Sequence, residues 1–331
     1  MKLSIALPGL LWSDSGDIEY LAKQIITPNL DKLIKRSSIS QIPYSFSDLV
    51  FSSYTTTTTS LAKEMAKNLG YSDLYPYFLL AEPTFLRADR DRLLICESEL
   101  LQLNDDEVSI IIDNLNHHFT GRLQLFPVNA NLWLIGLNLD ISDNKFYPIL
   151  DIIGENIDTY LPNNSIELTK LLNEIQMLLF SLELNKLRKS EGLIQINSLW
   201  LWDKEVKSNL INGYSNIFTS SRSINSAKIK SLPESLHDAF IDNSLIIIDN
   251  LYYPCCYRDS YSYLNNLSII DTQVMAILLS HITKFDTLEI LVPGIHKTLV
   301  ITLNKNDKYK LWKNRTFHEL LLDNSRKSSR C

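Results

Sequence analysis

Six consecutive residues, Arg87-Ala88-Asp89-Arg90-Asp91-Arg92, alternate guanidinium and carboxylate groups with one alanine among them. A run of this polarity must pair within itself or face water. It can lock a tight turn as a charge network, or it can leave a planar guanidinium free to clamp a phosphate or carboxylate. A second constellation is Asn197 with Trp200 and Trp202. These residues suit either a polar and aromatic pocket lining or a core strand with one satisfied amide. At strand spacing Ser198, Trp200 and Trp202 share one face and Leu199 and Leu201 the other. The candidate ligand-binding set is therefore Arg87, Asp89, Arg90, Asp91, Arg92, Asn197 and Trp202.

The elements that must position these groups follow from periodicity and capping. Thr84 to Leu86 and Leu93 to Cys96 flank the charged turn and predict a hairpin. Asn104 with Glu107 forms a capping box, and Val108, Ile111, Ile112, Leu115 and Phe119 recur at helical spacing. Strands over Arg122 to Phe126 and Leu132 to Leu137 then complete a small strand-helix-strand module. Leu3 to Leu7 reads as a buried strand ending at Pro8-Gly9, and Ile18 to Ile26 as a helix or turn-rich crossover. Thr27 is placed to cap a helix over Asn29 to Lys35 with Pro28 in its first turn. Ser60 caps a helix closed by Gly70, and Ser165 starts a long amphipathic helix that ends near Gly192. Leu193 to Trp202, Leu245 to Ile248, Leu288 to Val292 and Thr298 to Leu303 read as strands, and Asp271 to Ile282 as a helix. The fold class expected is α/β, with mixed sheets flanked by helices. The Asp-, Asn- and Pro-rich stretch from Asp140 to Asn164 suggests regions 1–150 and 151–331, or a single domain.

Composition narrows the function classes. With 331 residues, 45% of them hydrophobic, the chain can bury a large core. Its net charge of -6 opposes broad nucleic-acid binding, and the basic C-terminal stretch from Lys308 through Arg315 to Arg330 is expected to be a solvated tail. No apolar run approaches the ~20 residues of a membrane helix, and Met1 to Leu7 is too short for a signal peptide. A cytoplasmic protein without a membrane partner is expected. Cys96, Cys255, Cys256 and Cys331 lack C-x-x-C spacing, so neither a zinc cage nor a structural disulfide is predicted.

The string Glu82-Pro83-Thr84-Phe85-Leu86-Arg87-Ala88-Asp89-Arg90-Asp91-Arg92-Leu93-Leu94 resembles the D-P-V-H-L-R-x-D-R-D-R-L-L signature of the RpfE-type regulatory family of proteobacteria. Further similar blocks fall in the same order: Leu7-Pro8-Gly9-Leu10-Leu11-Trp12, Leu115-Asn116-His117-His118-Phe119, and Ile175-Gln176-Met177-Leu178-Leu179 leading to Asn197-Ser198-Leu199-Trp200-Leu201-Trp202. That family is often labelled cofactor-independent phosphoglycerate mutase, and Thr27-Pro28-Asn29-Leu30-Asp31-Lys32-Leu33 is similar to a helix start of such mutases and their alkaline-phosphatase-like relatives. The sequence differs from the family where Asp203-Lys204-Glu205 replaces a glycine-rich turn, and where Phe180-Ser181-Leu182-Glu183 replaces a histidine and a proline.

The mutase resemblance implies a two-metal site with a Ser or Thr nucleophile and Asp and His ligands. Its first ligand normally lies in an Asp-Gly at the tip of the first strand, where this chain has Pro8-Gly9. Asp14 and Asp17 are the nearest carboxylates, and Thr55 to Ser60 offers hydroxyls. His117 and His118 point to different sides of their helix, and His237, His281, His296 and His318 are isolated in sequence. No glycine-rich phosphate loop exists. The reading is a regulatory or ligand-binding protein for a small anion or a protein partner, without cofactor. The alternative is a phosphomutase or phosphatase using Mn²⁺ or Mg²⁺ at Asp14 and Asp17. A partner-binding protein would instead carry an exposed apolar patch.

Overall fold

The computed structural model describes residues 1–12, 16–54, 60–89, 92–96, 98–162, 164–206, 213–220, 228–295, 297–307 and 315–328. The chain forms two compact units, Met1–Thr56 with Lys207–Cys331, and Thr57–Val206. The second is inserted in the sequence of the first, so regions 1–150 and 151–331 do not correspond to the compact units.

In chain order the first segment contributes β1 (Lys2–Ala6), α1 (Ile18–Gln24), α2 (Pro28–Ile34), β2 (Ser38–Ile42) and α3 (Phe46–Phe51). The inserted unit holds α4 (Leu61–Asn68), β3 (Tyr77–Asp89), β4 (Arg92–Cys96), α5 (Asp105–His118), β5 (Leu123–Asn129), β6 (Leu132–Leu137), α6 (Ile149–Ile152), α7 (Ile166–Ser181), α8 (Glu183–Ser190) and β7 (Ser198–Trp202). The chain then returns with β8 (Asn216–Thr219), β9 (Lys230–Ser231), β10 (Ser244–Ile247), α9 (Tyr252–Cys256), α10 (Ser260–Ile269), α11 (Ala276–Ser280), β11 (Thr287–Pro293), β12 (Thr298–Asn304) and α12 (Phe317–Ser328).

The first unit is built on a mixed sheet in the order β2-β12-β11-β1-β10-β8-β9. β1 pairs in parallel with both β10 and β11, and β12 runs antiparallel to β11 and β2. Central strands such as Leu3-Ser4-Ile5-Ala6 and Leu245-Ile246-Ile247 are buried, as a parallel sheet requires. Leu3, Ile5, Ile246 and Ile290 share one core with Leu21, Leu33, Leu267 and Leu278 of the helices.

Two helix starts depart from the sequence reading. Thr27 makes no side-chain cap to α2. Asp271 supplies it: its carboxylate accepts from the Leu30 N–H at 2.7 Å and from the Asn29 N–H and side-chain amide at 3.1 Å each. Asp271 is 1% exposed and lies in a π-helical turn, Ile270–Met275, between α10 and α11. Such widened turns mark places where a helix adapts to a local demand. Of the expected basic tail, Lys308, Lys310, Lys313 and Arg330 lie outside the described residues, and Arg315 is partly exposed, but the chain that follows Arg315 is a docked helix, with Phe317, Leu320 and Leu321 of α12 buried in the same core. The Thr316 N–H donates to Glu319, the Glu319 N–H donates back to the Thr316 hydroxyl, and the Phe317 N–H donates to Asp31.

The inserted unit is an antiparallel sheet, β4-β3-β6-β5, with β7 also paired to β3. The expected hairpin is the distal part of a 13-residue strand: β3 pairs with β6 over 77–81, with β7 over 80–84 and with β4 over 85–89. Caps at Ser60, Asn104 and Ser165 form as the sequence indicates. The long helix after Ser165 breaks at Leu182, whose ψ of 131° is extended, and restarts as α8. The reading of 140–164 as a connection misses Ile149, Ile152 and Ile157, which are buried.

Arg188 on α8 is 1% exposed and pairs with Glu107 at 2.5 Å. It also donates to the carbonyls of Leu101 and Ile194. The other oxygen of Glu107 accepts from the Asn104 N–H, so a single carboxylate closes the α5 capping box and neutralises a buried guanidinium.

Candidate functional site

The arginine and aspartate run divides. Asp89 and Arg92 face each other across the last register pair of β3 and β4 and form an ion pair at 3.3 Å, with side chains 42% and 39% exposed. Arg87 is exposed and makes no ion pair among the described residues. Arg90 and Asp91 lie outside them.

Asn197 is a structural clamp. Its side-chain oxygen accepts from the Leu86 N–H at 2.7 Å and its amide donates to the Leu86 carbonyl at 2.9 Å. It thereby extends the β7 to β3 ladder by one peptide-like pair and supports the hairpin from below, with its polar atoms committed to the backbone. The Trp200 indole donates to the Tyr147 carbonyl at 2.7 Å, and Trp202 is buried.

Register places Leu80 opposite Trp202, Glu82 opposite Trp200 and Thr84 opposite Ser198. Directly opposed residues share a sheet face, so Glu82 faces Trp200, with Trp202 and Ser198 diagonal to it. The Ser98 hydroxyl, in a 3₁₀ turn over Ser98–Leu101, donates to Glu82 at 3.3 Å. Burial raises the Glu82 carboxyl to about 8, and the neighbouring Glu99 pushes in the same direction. The Trp202 indole and the Ser98 hydroxyl act oppositely by favouring the ionised form. A carboxyl titrating near neutrality can donate or accept a proton, unlike an exposed glutamate. Glu82 is absent from the candidate set read off the sequence. Its signal is a single acid inside the apolar run Tyr77-Phe78-Leu79-Leu80-Ala81-Glu82-Pro83-Thr84-Phe85, since carboxylates are rarely placed there without a partner.

In the first unit, the carboxyl ends of the parallel strands are where α/β folds bind ligands. Gly9, after β1, has φ +76°, and a Cβ there would fall 2.6 Å from the Leu251 carbonyl oxygen and 2.7 Å from the Tyr252 Cα. Only glycine permits this approach to the loop leaving β10. The Phe46 N–H donates to the Gly294 carbonyl, and the Phe46 and Tyr252 rings lie 4.8 Å apart, bringing the start of α3 to the same place. Asp249 is 8% exposed at the exit of β10. Asp48 closes the α3 capping box by accepting from the Ser45 N–H and hydroxyl at 2.9 Å each.

Asp17 is exposed and makes no side-chain cap at the start of α1, and Asp14 lies outside the described residues, as do Thr55 to Thr59. The described histidines are dispersed. His118 pairs with Glu174, and His318 on α12 contacts the Ala22 carbonyl. The His237 and His281 rings lie 4.8 Å apart, the latter just ahead of β11 at the amino end of the sheet. Among the described residues no three His, Cys, Asp or Glu side chains are grouped to hold a metal ion. Asp48 already satisfies a helix terminus.

No family model matches the chain, and no curated protein does. Among solved structures it is similar to PH0037 protein from Pyrococcus horikoshii, at 14% identity over 92% of this chain and 87% of that one, with a TM-score of 0.44. It is also similar to cofactor-independent phosphoglycerate mutase from Thermoplasma acidophilum DSM 1728, at 14% identity over 98% and 99% of the two chains, with a TM-score of 0.37. At these values neither likeness bears on chemistry.

Proposed function

We propose that this protein is an RpfE-type regulatory protein on a phosphoglycerate-mutase-like α/β scaffold, and that it binds a small anion at Arg87 on the β3–β4 hairpin. The observation that carries this reading is the assembly of three separated signature blocks in one unit. Leu115 of α5 and Phe119 at its C-cap, Ile175 and Leu179 of α7, and Leu199 and Leu201 of β7 share one core with Leu79 and Ala81 of β3. Gln176 donates to Ser198, and Asn197 clamps Leu86 beside Arg87. Strings far apart in sequence thus build a single support beneath the arginine-bearing hairpin. A guanidinium held on such a support suits an anionic ligand.

Thermal unfolding of the metal-stripped protein tests the reading. A saturable rise in melting temperature with 3-phosphoglycerate is expected by mass action, absent in Arg87→Ala and unaffected by Mn²⁺. A saturable rise with Mn²⁺ alone, abolished by changing Asp14 and Asp17 to Ala, would favour the metal-dependent phosphomutase instead and call for assay with phosphoglycerates.

A second reading, binding of a protein partner, is favoured by α7. Its residues Ile166, Met177 and Phe180 are 75%, 74% and 78% exposed and lie along one helical stripe, which is unusual for large apolar side chains.

A further inference from the structure

The first unit contains a pocket of about 370 Å³, open to solvent on one side, between the edge strand β2, strand β12 and helix α12. Its apolar lining is Leu11, Ile39, Leu299 and Leu320, all of which belong to or pack on the core of that unit. Its polar lining among the described residues is Ser40, Gln41, Arg315 and Asp323. The volume lies in the range of small-molecule sites, which typically pair apolar walls with a few converging polar groups.

The two charged groups narrow the occupant. Arg315 donates through one terminal nitrogen to Asp323 at 2.9 Å, and the side chains are 41% and 49% exposed. A guanidinium has five N–H donors, so this contact leaves most of them for a ligand carboxylate. Asp323 keeps acceptor capacity for an ammonium group. The pair is electrically neutral, so a simple monoanion would gain Arg315 at the cost of repulsion from Asp323. A simple amine meets the converse problem. A molecule carrying both charges on neighbouring atoms matches both side chains together, and its apolar substituent can occupy the space among the four aliphatic residues.

We propose that this cavity binds a free α-amino acid with an aliphatic side chain, its carboxylate on Arg315, its ammonium on Asp323 and its side chain against Leu11, Ile39, Leu299 and Leu320. This site stands apart from the Arg87 hairpin and does not depend on the reading given above.

Calorimetric titration of the full chain with L-leucine tests it, with isovalerate and isoamylamine as probes that each keep one charge. Saturable binding of L-leucine is expected, with neither single-charge probe binding as tightly. Arg315→Gln and Asp323→Asn should each weaken it by about tenfold or more, the effect of one charge-assisted hydrogen bond. Ser40→Trp, on the exposed edge strand, should block the cavity without disturbing α12. Absence of saturable L-leucine binding to the unaltered protein would overturn the proposal. So would equal affinity for isovalerate, or binding that survives Ser40→Trp and both charge substitutions.

Discussion

Acids drawn into the protein meet unlike surroundings, as Asp48 and Asp271 of the first unit and Glu82 of the inserted unit show. In the first unit Asp48 and Asp271 sit where amide and hydroxyl groups of a helix start point at them, and each is held as an acceptor. In the inserted unit Glu82 lies opposite Trp200 with a second acid nearby, and burial raises its carboxyl to about 8. Burial alone does not decide the state of an acid. Donors aimed at a carboxyl matter as well, because each offsets lost hydration of the charged form.

Glu107 and Arg188 are the extreme case of a compensated acid, and breaking them gives the largest expected effect. Arg188→Met leaves Glu107 charged without its buried partner and should cost ~3–5 kcal/mol in denaturant unfolding. A loss below about 1 kcal/mol would mean that water reaches the carboxylate and that the pair belongs with surface ion pairs.

Asp271→Ala comes next. It removes a cap and strands the Asn29 and Leu30 amides, so a loss of about 2 kcal/mol is expected. Asp271→Asn, which keeps one acceptor oxygen, should lose less. Equal losses would show that charge rather than geometry supports α2.

Glu82 carries the subtlest prediction and the opposite sign. Its folded pKa, about 8, is above the ordinary 4.5. Between those values the folded state holds a proton that the unfolded chain has released, so stability must fall as pH rises through that window. Glu82→Gln, neutral at every pH, should flatten the profile and melt higher than the unaltered protein at pH above about 8. Parallel profiles for the two proteins would place the carboxyl in contact with water.

Much of the scaffold was legible because its signals are local. Ser60, Asn104 and Ser165 each announce a helix through a side chain that meets an amide three residues on. Two comparable signals went unread: Ser45 with Asp48 opens α3, and Thr316 with Glu319 opens α12 where a solvated tail was expected. Strand β2 carries no strand signal in the sequence because it is a mostly polar edge strand whose alternation is weak. The π-helical turn at Asp271 has no period that a sequence window reports.

The sequence by itself determined the α/β class, most strands and helices, the hairpin with its alternating charges, and the shared face of Ser198, Trp200 and Trp202. Only the tertiary structure decided what each polar group does. Asp271 caps a helix 242 residues away, and Glu107 meets an arginine 81 residues away. Asn197 serves the Leu86 peptide, and Glu82 becomes a near-neutral acid through β7 and the Ser98 turn. Helix caps and apolar periods act within a few residues, whereas the role of a buried charge depends on donors and water exclusion supplied by distant chain segments.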